Sequence, residues 1–265
     1  MLASMSASAR RGTIRGLLAD RGELGIAALA AEFEVSEMTI RRDLEELEGQ
    51  GVARRVRGGA ISTVSRSYEP PLAIRAVDAG SAKRRIAEAA AGLIDDGQTA
   101  ILDVGSTVLA LAECLRGRSG LTIVTHSVHA AVALAGDANS RVILTGGIVR
   151  PGELSLVGHF AESTFRELNC DVVFLGVGGI DAAKGLTEYN LDDTRVKRAA
   201  ISAAPRRIAL ADASKLGRVC LAAIAPFSQI DVIVTDARAD HPVLTVARDA
   251  GVQVISVPVP VSESS

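Results

Sequence analysis

The sequence predicts an α/β chain in two parts: a small domain of helices closed by a β-hairpin, then a larger domain built on a mostly parallel, helix-covered sheet. Three observations predict it. Residues 26–47 carry two amphipathic helical patterns separated by a short turn, and an alternating basic run follows them. From residue 83 onward, short β-rich runs alternate with helical patterns. Between these regions, residues 62–80 follow neither period and contain Pro70-Pro71, which a regular helix does not accommodate. The limits read from these patterns are residues 1–62, a linker over 63–80, and 81–265.

A chain of 265 residues is long enough for two such domains. It is 48% hydrophobic with few aromatics and no Trp, which is ordinary for an α/β protein rich in Ala, Val, Ile and Leu. A net charge of −2 excludes a polycation that binds nucleic acid over its whole surface, so any DNA contact must come from a local basic patch. Cys114, Cys170 and Cys220 are far apart and form no C-x-x-C pair. They read as reduced core thiols of a cytoplasmic protein, not as a zinc site or disulfide frame. The N-terminus lacks the apolar run of a secretory signal, and no stretch approaches the roughly 18 apolar residues of a membrane span.

Taken in order, residues 1–9 are small and polar and are expected to be disordered. Ile14, Leu17 and Leu18 form the apolar side of a first helix, stopped by Gly22. Residues 26–33 read as a second helix, and Glu34-Val35 turn the chain into a third. Ser36 caps that helix, its hydroxyl accepting from a free N–H of the first turn. Ile40, Leu44 and Leu47 give it one buried stripe, while Met38, Thr39, Arg41 and Arg42 fall largely on the other side. Helix, short turn and helix is the layout in which the second helix enters the major groove. There, Arg pairs bidentately with guanine and a Thr methyl meets the thymine methyl. Glu37, Asp43, Glu45, Glu46 and Glu48 would equally suit an ordinary solvated helix, so the flanking segments decide. Gly49 and Gly51 release the chain into an alternating hairpin over residues 52–61, with Gly58-Gly59 as its turn or exit. From Arg54 to Arg66 there is no acidic residue. Arg54, Arg55 and Arg57 are therefore candidates for phosphate or minor-groove contact.

Arg10, Ile14 and Leu18, then Ser36, then Thr39-Ile40-Arg41-Arg42-Asp43-Leu44, match one specific pattern in type and spacing. It resembles the signature of the DeoR family of bacterial transcriptional regulators. The resemblance implies a winged helix-turn-helix and, behind it, a sugar-phosphate-sensing domain.

In the second part, residues 83–94 are helical, with Ile86, Ala90, Leu93 and Ile94 inward. Strands are expected at 99–104, 121–125, 141–144, 171–175, 207–210, 231–234 and 252–255, with helices at 108–115 and up to 135. Such sheets bind ligands at the carboxyl ends of their strands, so the residues after each strand are the candidates. The first strand is followed by Asp103-Val104-Gly105-Ser106-Thr107. Gly105 permits a tight turn, and Ser106 or Thr107 begins a helix whose free N–H groups favour an anion. Alone, this motif also fits an ordinary capped turn. Thr125-His126-Ser127, Thr145-Gly146-Gly147, the run from Gly176 through Gly178 and Gly179 to Asp181, and Asp212-Ala213-Ser214-Lys215 follow later strands. Backbone N–H groups, hydroxyls and a lysine converging on one sheet edge suit a phosphorylated polyol, with Asp103 and Asp181 as candidates for its hydroxyls.

These pieces resemble the effector domain of the same family over residues 75–256. Arg195, Lys197 and Arg198 fall where the family has basic residues, on a helix after Glu188. The resemblance implies a fold similar to ribose-5-phosphate isomerase and glucosamine-phosphate deaminase, and a sugar-derived phosphorylated effector. Two departures bear on which effector it is: Asp193 stands where relatives usually have Glu, and His126-Ser127 where an Asn pair is common.

Two functions compete. One is a sequence-specific repressor with a sugar-phosphate sensor. The other is a sugar-phosphate isomerase or deaminase with an accessory DNA-binding domain, its general base drawn from Asp181, Glu188 or Asp103. The N-terminal half favours the regulator, because an enzyme has no need of it. No cofactor or metal is expected. His126 and His129 lie three apart without a third ligand nearby and suit polar capping, while His159 and His241 read as loop residues. The expected partners are double-stranded operator DNA, a phosphorylated sugar, and further copies of the chain as a dimer or tetramer matched to paired half-sites.

Overall fold

The computed structural model describes residues 5–21, 23–56, 58–62, 66–67, 69–70, 72–77 and 79–257. The chain separates into two compact units, residues 1–70 and 71–265.

The first unit contains α1 (Ala7–Arg21), β1 (Glu23–Gly25), α2 (Ile26–Glu32), α3 (Glu37–Gly49), β2 (Ala53–Val56) and β3 (Gly59–Ser62). Ile14, Leu18, Leu29, Phe33, Ile40, Leu44 and Leu47 are almost wholly buried and make its core. The strands form an antiparallel sheet in the order β1-β3-β2. The hairpin was expected; β1, three residues long, is too short to show a period. Gly59 is fixed by close approach, since a methyl there would lie 2.3 Å from the Leu24 carbonyl oxygen. The expectation of disorder over residues 1–9 fails for Ala7 to Ala9, which start α1 because Ser6 Oγ accepts from Ala9 N at 3.2 Å. Gly22 and Arg57 lie outside the described residues.

The second unit begins with α4 (Leu72–Val77) and α5 (Gly80–Ala91). The segment expected to be only linker thus holds a helix, which starts directly after Pro70-Pro71. There follow β4 (Thr99–Leu102), α6 (Ser106–Cys114), β5 (Thr122–Thr125), α7 (Val128–Leu134), β6 (Arg141–Leu144), β7 (Ile148–Arg150), β8 (Ser155–Val157) and α8 (His159–Arg166). The chain continues through β9 (Val172–Gly176), β10 (Gly179–Asp181), β11 (Gly185–Glu188), α9 (Leu191–Ser202), β12 (Arg206–Ala211), β13 (Ala222–Ala225), β14 (Val232–Thr235), α10 (Pro242–Asp249) and β15 (Gln253–Ser256).

Seven strands make one sheet in the order β15-β14-β12-β9-β4-β5-β6, and every neighbouring pair is parallel. Its strands are apolar on both faces, and a separate hydrophobic core covers each. The chain steps outward through β4, β5 and β6, returns to the other side of β4 as β9, and then steps the opposite way through β12, β14 and β15. The direction therefore reverses between β4 and β9, where a crevice opens at the strand ends of such sheets. Two small sheets, β7-β8 and β10-β11-β13, were not foreseen. Cys170 and Cys220 are buried, Cys114 is partly buried, and all three are free thiols. No helix among the described residues is long and apolar enough to cross a membrane.

Candidate functional site

In the first unit, α3 presents its outer side as the spacing predicts. Ser36 is extended and accepts from Thr39 N at 3.2 Å. Thr39 Oγ1 lies 2.9 Å from Ser36 Oγ, so both hydroxyls serve the helix start. Met38 is 60% exposed, and Arg41 and Arg42 stand beside it in solvent. Arg41 makes a loose pair with Glu37 at 3.4 Å, which solvent screens. Asp43, counted among the solvated acids of this helix, instead points inward. It is buried and accepts from Arg10 Nε at 2.5 Å, tying α1 to α3. The wing arginines divide. Arg54 is exposed on β2. Arg55 turns back onto α3, where its guanidinium pairs with Glu45 and Glu48 and its backbone N–H donates to Glu48 at 2.9 Å. Its guanidinium, expected to face phosphate, rests on these two glutamates and stays exposed. Arg57 lies outside the described residues.

In the second unit, the reversal point between β4 and β9 is closed by a buried polar knot. Asp103, directly after β4, accepts from Gly176 N at 2.8 Å and from the Lys197 ammonium. Lys197 also donates to the Gly176 carbonyl at 2.9 Å and lies 3.2 Å from Glu188. Gly176 cannot be replaced here, because a methyl on it would lie 2.3 Å from the Val104 carbonyl oxygen. Burial raises the Asp103 carboxyl to about 6, against the opposing pull of Lys197. Burial also works against the Lys197 ammonium, but Asp103, Glu188 and Asp193 more than offset it and hold it above the ordinary lysine range. The pair is ionised at neutral pH. One turn earlier on α9, Asp193 is buried and pairs with Arg150 at 2.7 Å. Its carboxyl is raised by burial, with Arg150 opposing.

His126 is fully enclosed next to this knot. It caps nothing: Ser127 is the residue that caps α7, accepting from Ala130 N at 3.2 Å. Its ring meets Phe165 edge-on, with centroids 5.8 Å apart. Its Nε2 is 3.3 Å from Asp103 Oδ1 but off the line of a hydrogen bond, so neither atom gains a partner there. Burial, with Lys197 and Arg150 nearby, depresses the imidazole to about 3. The folded state therefore needs neutral His126, and the unfolded chain binds the extra proton once pH falls below its ordinary 6.5. Stability from this group is present above pH 6.5 and declines toward pH 3. His126→Asn should flatten that decline, with the wild-type disadvantage growing by about 1 kcal/mol per pH unit below the imidazole's free value. Urea titrations of both proteins between pH 7 and pH 4.5 check it, and parallel curves would contradict it.

Beside the knot is a turn approached by cations. Gly105 has φ of +106° and leads into α6, whose first residues Ser106 and Thr107 are buried. No side chain caps that helix start. Arg75 of α4 comes to it: a methyl on Gly105 would lie 3.8 Å from Arg75 Nη1. Lys83 of α5 is buried and donates to the Arg75 carbonyl. Lys215, half-buried on the short 3-10 turn after β12, is held below the ordinary lysine range by burial, with Arg218, Arg75 and Lys83 acting in the same direction and Asp212 against it. Several cations thus feel one another around a helix start, an arrangement that favours an anion.

The other expected residues divide by position. Thr125 is fully buried and spends its hydroxyl on the Leu102 carbonyl and Ser127 N. Asp181 Oδ1 accepts from Ala183 N and Lys184 N, fixing the β10–β11 turn. Gly178 and Gly179 are required by packing, against Tyr189 and Cys220 and against the Arg218 carbonyl respectively. Gly147 is required by the Val157 backbone, 2.7 Å from where its methyl would be, and Gly146 packs on Phe160. Arg195 is exposed and pairs with Asp192 at 3.3 Å, on the opposite side of α9 from Lys197. His241 is the extended loop residue expected and caps α10 through Nδ1, whereas His159 begins α8 and is not a loop residue. Arg75, Lys83, Arg150 and Glu153 were not singled out from sequence. One signal was available: Lys83 stands three and four residues before Ile86 and Ala87, on the inward stripe of its helix.

The DeoR-like helix-turn-helix domain matches residues 10–66, and the DeoR C-terminal sensor domain matches residues 78–237. The chain is 34% identical over 245 residues to the HTH-type transcriptional regulator GolR of Listeria innocua, covering 92% of this chain and 96% of that one. It is 32% identical over 249 residues to the glycerol-3-phosphate regulon repressor of Escherichia coli K12, covering 94% of this chain and 98% of that one. Among solved structures, ribose 5-phosphate isomerase A of Methanocaldococcus jannaschii aligns over 52% of this chain and 55% of its own, at 19% identity and a TM-score of 0.39. The relatives that match over nearly their whole length are regulators, and the reading as a regulator stands over the reading as an enzyme. With a DNA-binding helix pair in one unit and a sensor domain in the other, the chain belongs to the DeoR family of transcriptional regulators.

Proposed function

We propose that this protein is a repressor of sugar-metabolism genes that reads operator DNA with α3 and is switched by a phosphorylated sugar bound at the start of α6. The observation that carries the effector class is Arg75 at the Gly105 turn, with Lys83 on its carbonyl and Lys215 within electrostatic reach of both, at the point where the sheet reverses direction. A phosphate dianion answers both the free N–H groups and the cations. The deeper knot of Asp103, Lys197 and Glu188 shapes the floor of the site rather than facing the solvent. A thermal-shift screen of phosphorylated sugars tests the reading. A ligand at a hundred times its dissociation constant adds about 2.7 kcal/mol. Equal shifts from the unphosphorylated sugars would remove the phosphate cradle.

On the DNA side, Arg41 stands exposed one turn into α3. Arg41→Ala should cost about 1–3 kcal/mol at the cognate operator and relax sequence choice there. Competition titrations against random DNA measure it, and equal loss on both would take α3 out of base reading. The assembly proposed is a homo-oligomer, dimer or tetramer, as paired half-sites require. Leu144, Ile148, Val149 and Phe160, large apolar side chains exposed around Gly146 at the β6 edge of the sheet, support a buried surface between copies.

A further inference from the structure

Arg75 occupies a position that the sensor alone does not explain. It is carried by α4, a helix of six residues that packs on α6. Its guanidinium reaches the Gly105 turn and also pairs with Glu153, a carboxylate almost wholly buried in the turn between β7 and β8. Its carbonyl accepts from Lys83. α4 is also where the second unit begins, and Pro70-Pro71 immediately precedes it in the chain.

We propose that Arg75 is an effector-responsive latch whose guanidinium passes from Glu153 to the effector's phosphate at the Gly105–Thr107 turn when the effector binds. The inference rests on the phosphate-cradle reading above and adds a contact and a moving part to it. Arg75 reaches Glu153 through Nη2 while its Nη1 lies at the Gly105 turn, so a phosphate bound at that turn draws the same guanidinium away from the carboxylate. Phosphate therefore competes with Glu153 for it, and the two arrangements of α4 bind ligand unequally, as a switch requires. A helix of under two turns has little stability of its own and depends on its packing, so re-aiming one side chain is enough to shift it. The ligand signal thus reaches the DNA-binding unit through the first helix of the sensor.

The test uses the full chain with sn-glycerol 3-phosphate and inorganic phosphate as probes. Arg75→Gln and Glu153→Gln are predicted to act in opposite directions. Arg75→Gln removes a phosphate ligand and weakens probe binding about tenfold or more. Glu153→Gln removes the competitor and tightens binding by several-fold. Hydrogen exchange in α4 should change on probe addition in the wild type and stay unchanged in Arg75→Gln. If both variants lose stability yet keep wild-type probe affinity, the pair is a structural tether and the latch is wrong. If the probe protects the Gly105–Thr107 turn and needs Lys215 but ignores both variants, the cradle stands and only the latch falls. If neither probe protects that turn in the wild type, cradle and latch fall together.

Discussion

Lys197→Ala is expected to destabilise the sensor unit by about 3–5 kcal/mol, the usual cost of removing one partner from a buried ion pair. Lys197 is 1% exposed, so solvent does not screen the loss. Its removal strands Asp103 and Glu188, two carboxylates with almost no access to water. It also removes the donor that joins Gly176 to the end of β4. The variant should have a distinctive pH response. Without the ammonium, Asp103 protonates above its present value of about 6, so the folded variant binds a proton that the unfolded chain does not. Between pH 7 and pH 6 this adds stability to the variant that the wild type gains only below pH 6, against the decline that neutral His126 imposes on both. Urea denaturation at pH 7 and pH 5.5 reads both effects. A loss under 1 kcal/mol would mean that water enters the knot and pays part of the desolvation.

Lys215→Ala should abolish the response to effector without unfolding the protein. Its ammonium is half-buried and held low by burial, with Asp212 opposing and Arg218, Arg75 and Lys83 acting with burial. What the substitution removes is attraction for an anion. The change that effector makes to operator affinity, about 5–150-fold for typical coupling, should collapse toward one. Operator binding without effector should survive, because the DNA-reading helix lies in the other compact unit. Operator titrations with and without the phosphorylated sugar found by screening decide it. A variant that keeps full sugar-phosphate affinity would place the cradle elsewhere on the sheet edge.

Much of the fold was legible because burial imposes period. The seven sheet strands are short apolar runs covered on both faces, and each was expected to within a residue or two of where it forms. β7, β8, β10, β11 and β13 escaped because strands of three or four residues show too little alternation beside glycine-rich turns. α4 escaped because Pro70-Pro71 was read as ending regular structure, when it only precedes it. The candidate site was legible as a set of strand ends and not as a set of roles. Sequence cannot show that Asp103 spends its carboxylate on Gly176 and Lys197, or that Gly178 and Gly179 are small because Tyr189, Cys220 and the Arg218 backbone crowd them. Nor does spacing reveal that Arg75, far upstream, returns to the Gly105 turn, because that contact comes from the packing of α4 on α6.

The grip of Glu45 and Glu48 on Arg55 has a consequence for how this protein meets a long stretch of DNA. Each phosphate neutralised by a free cation releases condensed counterions, and the logarithm of affinity then falls with the logarithm of salt by about 0.9 per contact. A wing arginine already neutralised from within contributes little to that release. The hairpin is held at a fixed angle to α3 at the expense of indiscriminate attraction. Sequence-independent binding is the quantity most sensitive to such charges. Arg55→Ala is therefore expected to flatten the salt dependence of DNA binding less than Arg54→Ala, which titrations over a salt series measure.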